Sequence, residues 1–232
     1  MTSDQRLVLI DYARTAHAAH DTLTTLDQLA GDGDFGDNLC EGLDRVVAEL
    51  EARPGEPPFA VAARVFLDEV GGTSGPLLGL LFQELARALA NGDDHAEGGG
   101  EAEGGGDADD DAAWRSGIRE GLAAIQRVGE AEPGDRTMVD ALSPAREALE
   151  AGADAREVAL AALAGAQATA ALRARRGRAS YVGERAVGAP DPGALGVALL
   201  FWSRAQAAGL PAGELTGHLA AARPPQDPPA PG

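Results

Sequence analysis

Cysteine occurs once in these 232 residues, at Cys40, so no disulfide framework can hold the fold. With no leader-like segment at the start, that usage points to a reducing, cytoplasmic setting. Aromatic residues make up only 4% of the chain, and β-branched runs bounded by turn signals are scarce, which argues against a sheet-based core. No apolar run reaches the roughly 18 residues a membrane span needs. Basic residues are few: 19 Lys and Arg stand against 37 Asp and Glu, a formal net charge of −18. That balance excludes nucleic acid and anionic lipid surfaces as partners.

Alanine and leucine recur throughout instead, and both are strong helix formers. Helical periodicity runs over residues 4–30 and 38–54, then 58–70, and again from residue 74 or 75 with Pro76 in the first turn. It returns over 112–128, 137–151, 154–176 and 192–208, with a short helical turn after Pro211. The expected fold is therefore all-α, with about eight helices. Residues 1–222 read as one domain. Inside it, residues 91–111 carry nine acidic side chains, no basic one and no apolar face, the composition of a disordered surface insertion. The Pro-rich residues 223–232 read as a frayed tail.

Four glycine-bearing breaks between helices could carry chemistry, because helix ends expose unpaired N–H groups to a ligand. The first places Asp27, Asp32 and Asp34 within eight positions around Gly31, Gly33 and Gly36. Clustered carboxylates repel one another, so they suit a hard divalent cation such as Mg²⁺, although a helix cap with solvated acids has the same spacing. The run GDGDFG matches a dinucleotide fingerprint only formally, since a helix precedes it where a strand is required. The EF-hand pattern fails as well, with Asp37 where Gly belongs and Leu43 where Glu belongs.

The second break, residues 71–76, offers glycine amides and the hydroxyls of Thr73 and Ser74 at a helix start. That arrangement suits phosphate, or serves as a plain interhelical turn. It contains no Lys and is not a P-loop. The third, residues 129–138, offers Asp135 or Thr137 as the cap of the next helix, with Met138 as ordinary core. The fourth, residues 177–193, follows Arg173, Arg175 and Arg176 and contains Arg178. This is the one dense basic cluster, suited to phosphate or to complementing a helix C-terminus.

Read in order, LDQLAGDGDFGDN, GGTSGPLLG, GEAEPGDRTMVDALSPA and GRASYVGERAVGAPDPGA closely resemble the nucleotide-binding L subunit of dihydroxyacetone kinases. The resemblance spans about residues 4–208, apart from the acidic insertion. It implies an antiparallel eight-helix barrel that binds ADP or ATP at one end through two Mg²⁺ ions. It makes Asp27, Asp32 and Asp34 the metal ligands. Phe35, Gly36, Asp37 and Asn38, with Thr73 and Ser74, become phosphate contacts. Gly129 and Met138 would enclose the adenine, while Arg178, Asp191, Pro192 and Gly193 complete the nucleotide site. The family commonly carries His where this chain has Phe35, and Lys where it has Arg136.

The resemblance also implies a phosphotransferase of the glycerone kinase type, a transferase of glycerol metabolism that is active only with a K-type substrate-binding subunit. The substrate would be a ketose or tetrose held on that partner, and no side chain of this chain need act as a general base. A phosphocarrier of the phosphotransferase system is a further implied partner. The alternative is a nucleotide-binding regulatory module that binds a regulator or a phosphocarrier.

Overall fold

The computed structural model describes residues 4–96, 105–177, 179–182, 187–209 and 215–222. Their elements are α1 (Gln5–Ala30), α2 (Phe35–Ala52), α3 (Pro58–Asp68), α4 (Ser74–Ala96), α5 (Gly105–Gly129), α6 (Val139–Glu150) and α7 (Ala155–Ala168). A 3-10 turn (Thr169–Ala171), then α8 (Ala179–Val182), α9 (Pro192–Ala207) and α10 (Leu215–Ala222) follow, and no strand occurs among the described residues. The all-α reading holds. No described helix is long and apolar enough to cross a membrane.

Local signals set the helix starts. Asp4 caps α1 by accepting the amides of Arg6 and Leu7, and Asp154 with Glu157 forms a reciprocal capping box on α7. Prolines open α3 and α9, where a missing N–H is harmless. Packing then follows chain order: each long helix from α1 to α7 lies on its successor, α7 lies on α9, and α9 returns to α1. The order of contacts closes on itself, with α9 at the closure. Every residue from 194 to 205 of α9 is buried. Its two polar residues in that run find partners: Ser203 meets Thr15 Oγ1 at 2.9 Å, and Arg204 pairs with Asp110 and Asp111. The few aromatics stack near one another, Phe66 edge-on to Phe82 at 5.0 Å and Phe59 edge-on to Trp114 at 5.6 Å.

Three boundaries differ from the sequence expectation. Helix α2 begins at Phe35 instead of residue 38, because the Asn38 amide already bonds to the Asp34 carbonyl and Asp34 stands at the N-cap. Helix α7 stops at Ala168, well short of residue 176. The chain turns through the 3-10 segment so that the Arg175 amide can reach the Asp135 carbonyl at 3.1 Å. Helix also enters the acidic stretch from both sides, α4 as far as Ala96 and α5 from Gly105. Acidic residues near a helix N-terminus are favoured by its dipole, and the Arg204 pairing ties the start of α5 to α9. Residues 97–104 and the tail 223–232 lie outside the described residues.

Pro144 sits inside α6 and has no N–H to offer the Asp140 carbonyl. Gly165 of α7 packs against that carbonyl, and a Cβ there would also lie 2.7 Å from the Pro144 ring. Gly165→Ala is therefore expected to destabilise the fold by about 2 kcal/mol through overpacking, read as a lowered urea midpoint with an unchanged slope.

Candidate functional site

All four breaks open onto one cleft. Between α1 and α2 the backbone turns through Gly33, whose φ of 85° strongly favours glycine. That turn brings the Asp27 carboxylate back over the start of α2, where its Oδ2 accepts the Phe35 amide at 3.0 Å. Asp27, Asp32, Asp34, Phe35 and Asn38 all line the cleft. Asp27 is half-buried, and Asp32 and Asp34 are exposed. From the second break come Gly72, Thr73 and Ser74, with the N-terminus of α4 facing the same space.

The third break is held by carboxylates acting on backbone amides. Asp140 accepts from Gly134 and Thr137, and Asp135 accepts from Glu132 at 3.0 Å. This turn carries Gly129, Ala131, Thr137 and Met138 to the cleft wall, together with Arg136. Arg136 adopts a left-handed φ of 62°, is buried, and donates to the Ala189 carbonyl at 2.9 Å. Burial pulls its pKa down, and the charge of Asp191 opposes that.

The fourth break supplies Asp191, Pro192 and Gly193, the start of α9, with Arg176, Gly177 and Ala179 beside them. Asp191 caps α9 by accepting the Ala194 amide at 2.8 Å, while its own amide donates to Thr169 Oγ1 at 2.7 Å. Burial pushes its carboxyl up to about 6, although the Ala194 bond and Arg136 pull the other way, and Asp140 and Asp27 add like-charge repulsion.

The structure thus brings together twelve of the fifteen residues expected for the site. Gly36 and Asp37 are not on the cleft wall. Gly36 faces α1, where a Cβ would lie 3.1 Å from the His20 carbonyl, so it serves helix contact. Asp37 turns outward to meet His20 Nε2 at 2.7 Å, a bond that raises the imidazole pKa, with Asp21 adding to the effect. Arg178 lies outside the described residues. Sequence reasoning did not single out Leu77, Ile125 and Ala131, which give the cleft an apolar wall, nor Arg136 as a buried lining residue. Helical periodicity marks the first two only as core. The left-handed Arg136 backbone leaves no mark in the sequence.

The donor set suits Mg²⁺ in one particular way. Among the described residues no three His, Cys, Asp or Glu side chains form a ready cage for a metal. Mg²⁺ rarely uses such cages: it takes one or two carboxylates, keeps several waters, and fills its remaining positions with phosphate oxygens. Carboxylates along one wall of a cleft that also holds a helix N-terminus and hydroxyls provide that chemistry.

Comparison with known proteins agrees with the motifs. The DAK2 domain profile matches residues 29–206. The chain is 35% identical over 201 residues to the ADP-binding subunit DhaL of a PEP-dependent dihydroxyacetone kinase from Listeria innocua, covering 85% of this chain and 92% of that one. It is 38% identical over 192 residues to L-erythrulose 1-kinase of Mycolicibacterium smegmatis, covering 77% of this chain but only 31% of that enzyme. In structure it matches the dihydroxyacetone kinase of C. freundii in complex with AMP-PNP and Mg²⁺, with a TM-score of 0.57 and 25% identity. That match covers 87% of this chain and 32% of the kinase. The chain therefore spans nearly the whole of a separate subunit, but about a third of the longer kinases.

The raised Asp191 pKa has a definite sign. Ionised Asp191 is the less favourable form in the folded protein, so its contribution is fully present below about pH 3.8 and is lost as pH rises through about 6. Asp191→Asn keeps an oxygen for the Ala194 amide and cannot ionise. Without ligands, it is expected to gain about 2 kcal/mol on the parent protein between pH 4 and pH 7.5, measured by denaturant unfolding at both values.

Proposed function

The chain belongs to the DAK2 domain family, and on that footing we propose that it is the nucleotide-carrying subunit of a dihydroxyacetone-type kinase. The observation that carries this reading is the convergence of four separated motifs on one cleft. Carboxylates, a helix N-terminus with hydroxyls, and an apolar wall are the three surfaces that Mg²⁺, phosphates and a purine require. The bound nucleotide would be ADP or ATP, with two Mg²⁺ ions. The closed order of helix packing supports an eight-helix barrel with the cleft at one end.

In this reading each wall has one task. Asp27, Asp32 and Asp34 hold the metal ions, and the metal when bound offsets charge on the transferring phosphoryl group. Thr73, Ser74 and the first turn of α2 orient the phosphates through hydroxyls and amides. Gly129 and Met138, with Ile125 and Leu77, enclose the base, and Arg178 and the Asp191–Gly193 turn complete the nucleotide site. Gly36 and Asp37 act behind the wall: Gly36 lets α2 approach α1, and Asp37 fixes the start of α2 through His20. Phosphoryl transfer depends mainly on positioning and charge stabilisation, so no general base is required of these residues.

The acceptor hydroxyl comes from a ketose or tetrose on a separate K-type subunit in the cytoplasm. The names of the relatives support this, one being an ADP-binding subunit of a PEP-dependent kinase and another a kinase for L-erythrulose. A phosphocarrier of the phosphotransferase system is the donor that the PEP-dependent relative suggests. Native mass spectrometry separates the two modes of use. Retained, non-exchanging Mg-ADP marks a coenzyme-like role, and freely exchanging ATP marks direct use.

Asp32→Asn is expected to lower Mg-dependent nucleotide affinity at least a hundredfold, because the metal loses a charged ligand. The far-ultraviolet helical signal should stay unchanged. Calorimetric titration with Mg-ADP and Mg-ATP checks this, and undiminished affinity in the variant would overturn the metal assignment.

A further inference from the structure

We infer that Gly196, a buried residue of α9 outside the cleft wall, is a positioning residue that sets Asp27 for metal binding through the Phe35 ring. A Cβ at Gly196 would lie 2.7 Å from Phe35 Cζ and 3.1 Å from Cε1, so the phenyl group occupies the space a side chain would fill. Phe35 is the first residue of α2 and is buried. Its backbone amide donates to Asp27 Oδ2 at 3.0 Å. Gly196 thus fixes the ring, the ring fixes the first turn of α2, and that turn holds one oxygen of the carboxylate.

The other side of Gly196 is fixed as well. The Tyr12 hydroxyl donates to its carbonyl at 2.8 Å, and burial holds that phenol neutral well above its usual range. Tyr12 belongs to α1, the helix that also carries Asp27. The carboxylate is therefore fixed twice relative to α9, once along α1 and once through Phe35. Space around Asp27 is short too, since a Cβ on Gly31 would stand 2.9 Å from its Oδ1. A ring displaced by a methyl group at residue 196 must move the Phe35 amide or break its bond, and Asp27 has little room to follow.

This inference rests on the nucleotide reading above. The test compares Gly196→Ala with Gly117→Ala, which overpacks the α4–α5 contact, where the added methyl would lie 2.9 Å from Leu85 Cα. Each variant is titrated calorimetrically with Mg²⁺ in the presence of ADP, and its thermal midpoint is recorded. Both substitutions should lower the midpoint. Only Gly196→Ala should raise the Mg²⁺ concentration for half-saturation, by about tenfold. Adding Phe35→Leu to Gly196→Ala, which withdraws the ring tip, should recover most of that loss. Unchanged Mg²⁺ dependence in Gly196→Ala, an equal change in Gly117→Ala, or no recovery in the double variant overturns the positioning role. If Gly196→Ala does not fold, Phe35→Trp, which crowds the same contact from the ring side, decides: a raised Mg²⁺ concentration for half-saturation supports the role and an unchanged one overturns it. Failure of the parent protein to bind Mg-ADP would sink the nucleotide reading itself.

Discussion

Helix backbones in this protein touch where side chains are missing, and the rest of the architecture depends on those close approaches. Five of the eight steps in the packing order have a glycine at their contact. Gly36 sits between α2 and α1, Gly42 between α2 and Phe66 of α3, and Gly79 against the Leu67 backbone. Gly117 and Gly121 bring α5 onto α4, Gly165 brings α7 onto α6, and Gly196 admits the Phe35 ring against α9. Glycine inside a helix is unfavourable by roughly 1 kcal/mol relative to alanine, so these positions are stable only because close packing returns dispersion energy. Close axes also explain how a chain with 4% aromatics fills its core. The same approaches draw the helix ends together, and a cleft between those ends follows.

A cleft lined by Asp27, Asp32, Asp34 and Asp191 is a place where like charges accumulate. Asp27 is stabilised by a backbone amide and Asp191 by another, and the buried Arg136 lies near enough to Asp191 to act on its pKa. Burial still wins at Asp191, whose carboxyl rises to about 6. Asp32 and Asp34 are exposed, where solvent and salt screen like charges, so the fold tolerates them. Site electrostatics are thus divided in two. Asp27 and Asp191 are each tied to a backbone amide, which shapes the walls, and Asp32 and Asp34 stand exposed where a cation would enter.

The helical class and the four breaks were legible because they rest on local chemistry: periodicity, glycine, and capping residues such as Asp4, Asp154 and Asp191. Boundaries set by distant partners were not. Helix α7 ends early because residues 172–177 must reach Asp135, a contact no local pattern encodes. The resemblance made Asp37 a phosphate contact, yet its orientation is decided by His20, seventeen positions away on α1. Arg136 read as a conservative replacement in a turn. Its left-handed backbone and its bond to Ala189 make it a buried cleft residue instead. The apolar wall of Leu77 and Ile125 was hidden by its own periodicity, since a binding wall and a core face follow the same spacing.

The acidic stretch shows how a composition can be locally polar and still be anchored. Arg204 is almost fully buried on α9, and its guanidinium lies 4.7 Å from the Trp114 ring centre while pairing with Asp110 and Asp111. A buried arginine without such partners would be strongly destabilising, so the acids at the start of α5 meet a requirement of the core. Arg204 also stands in the last turn of α9, where a cation complements the helix dipole. Twelve residues separate it from Pro192 at the cleft, about 18 Å along a helix. That distance is roughly twice the screening length at physiological salt, about 8 Å. The anchored end of the insertion therefore keeps its negative charge at the opposite end of α9 from the cleft, where it adds little repulsion against an anionic nucleotide. The helix that closes the packing order is also the spacer between the two charge clusters.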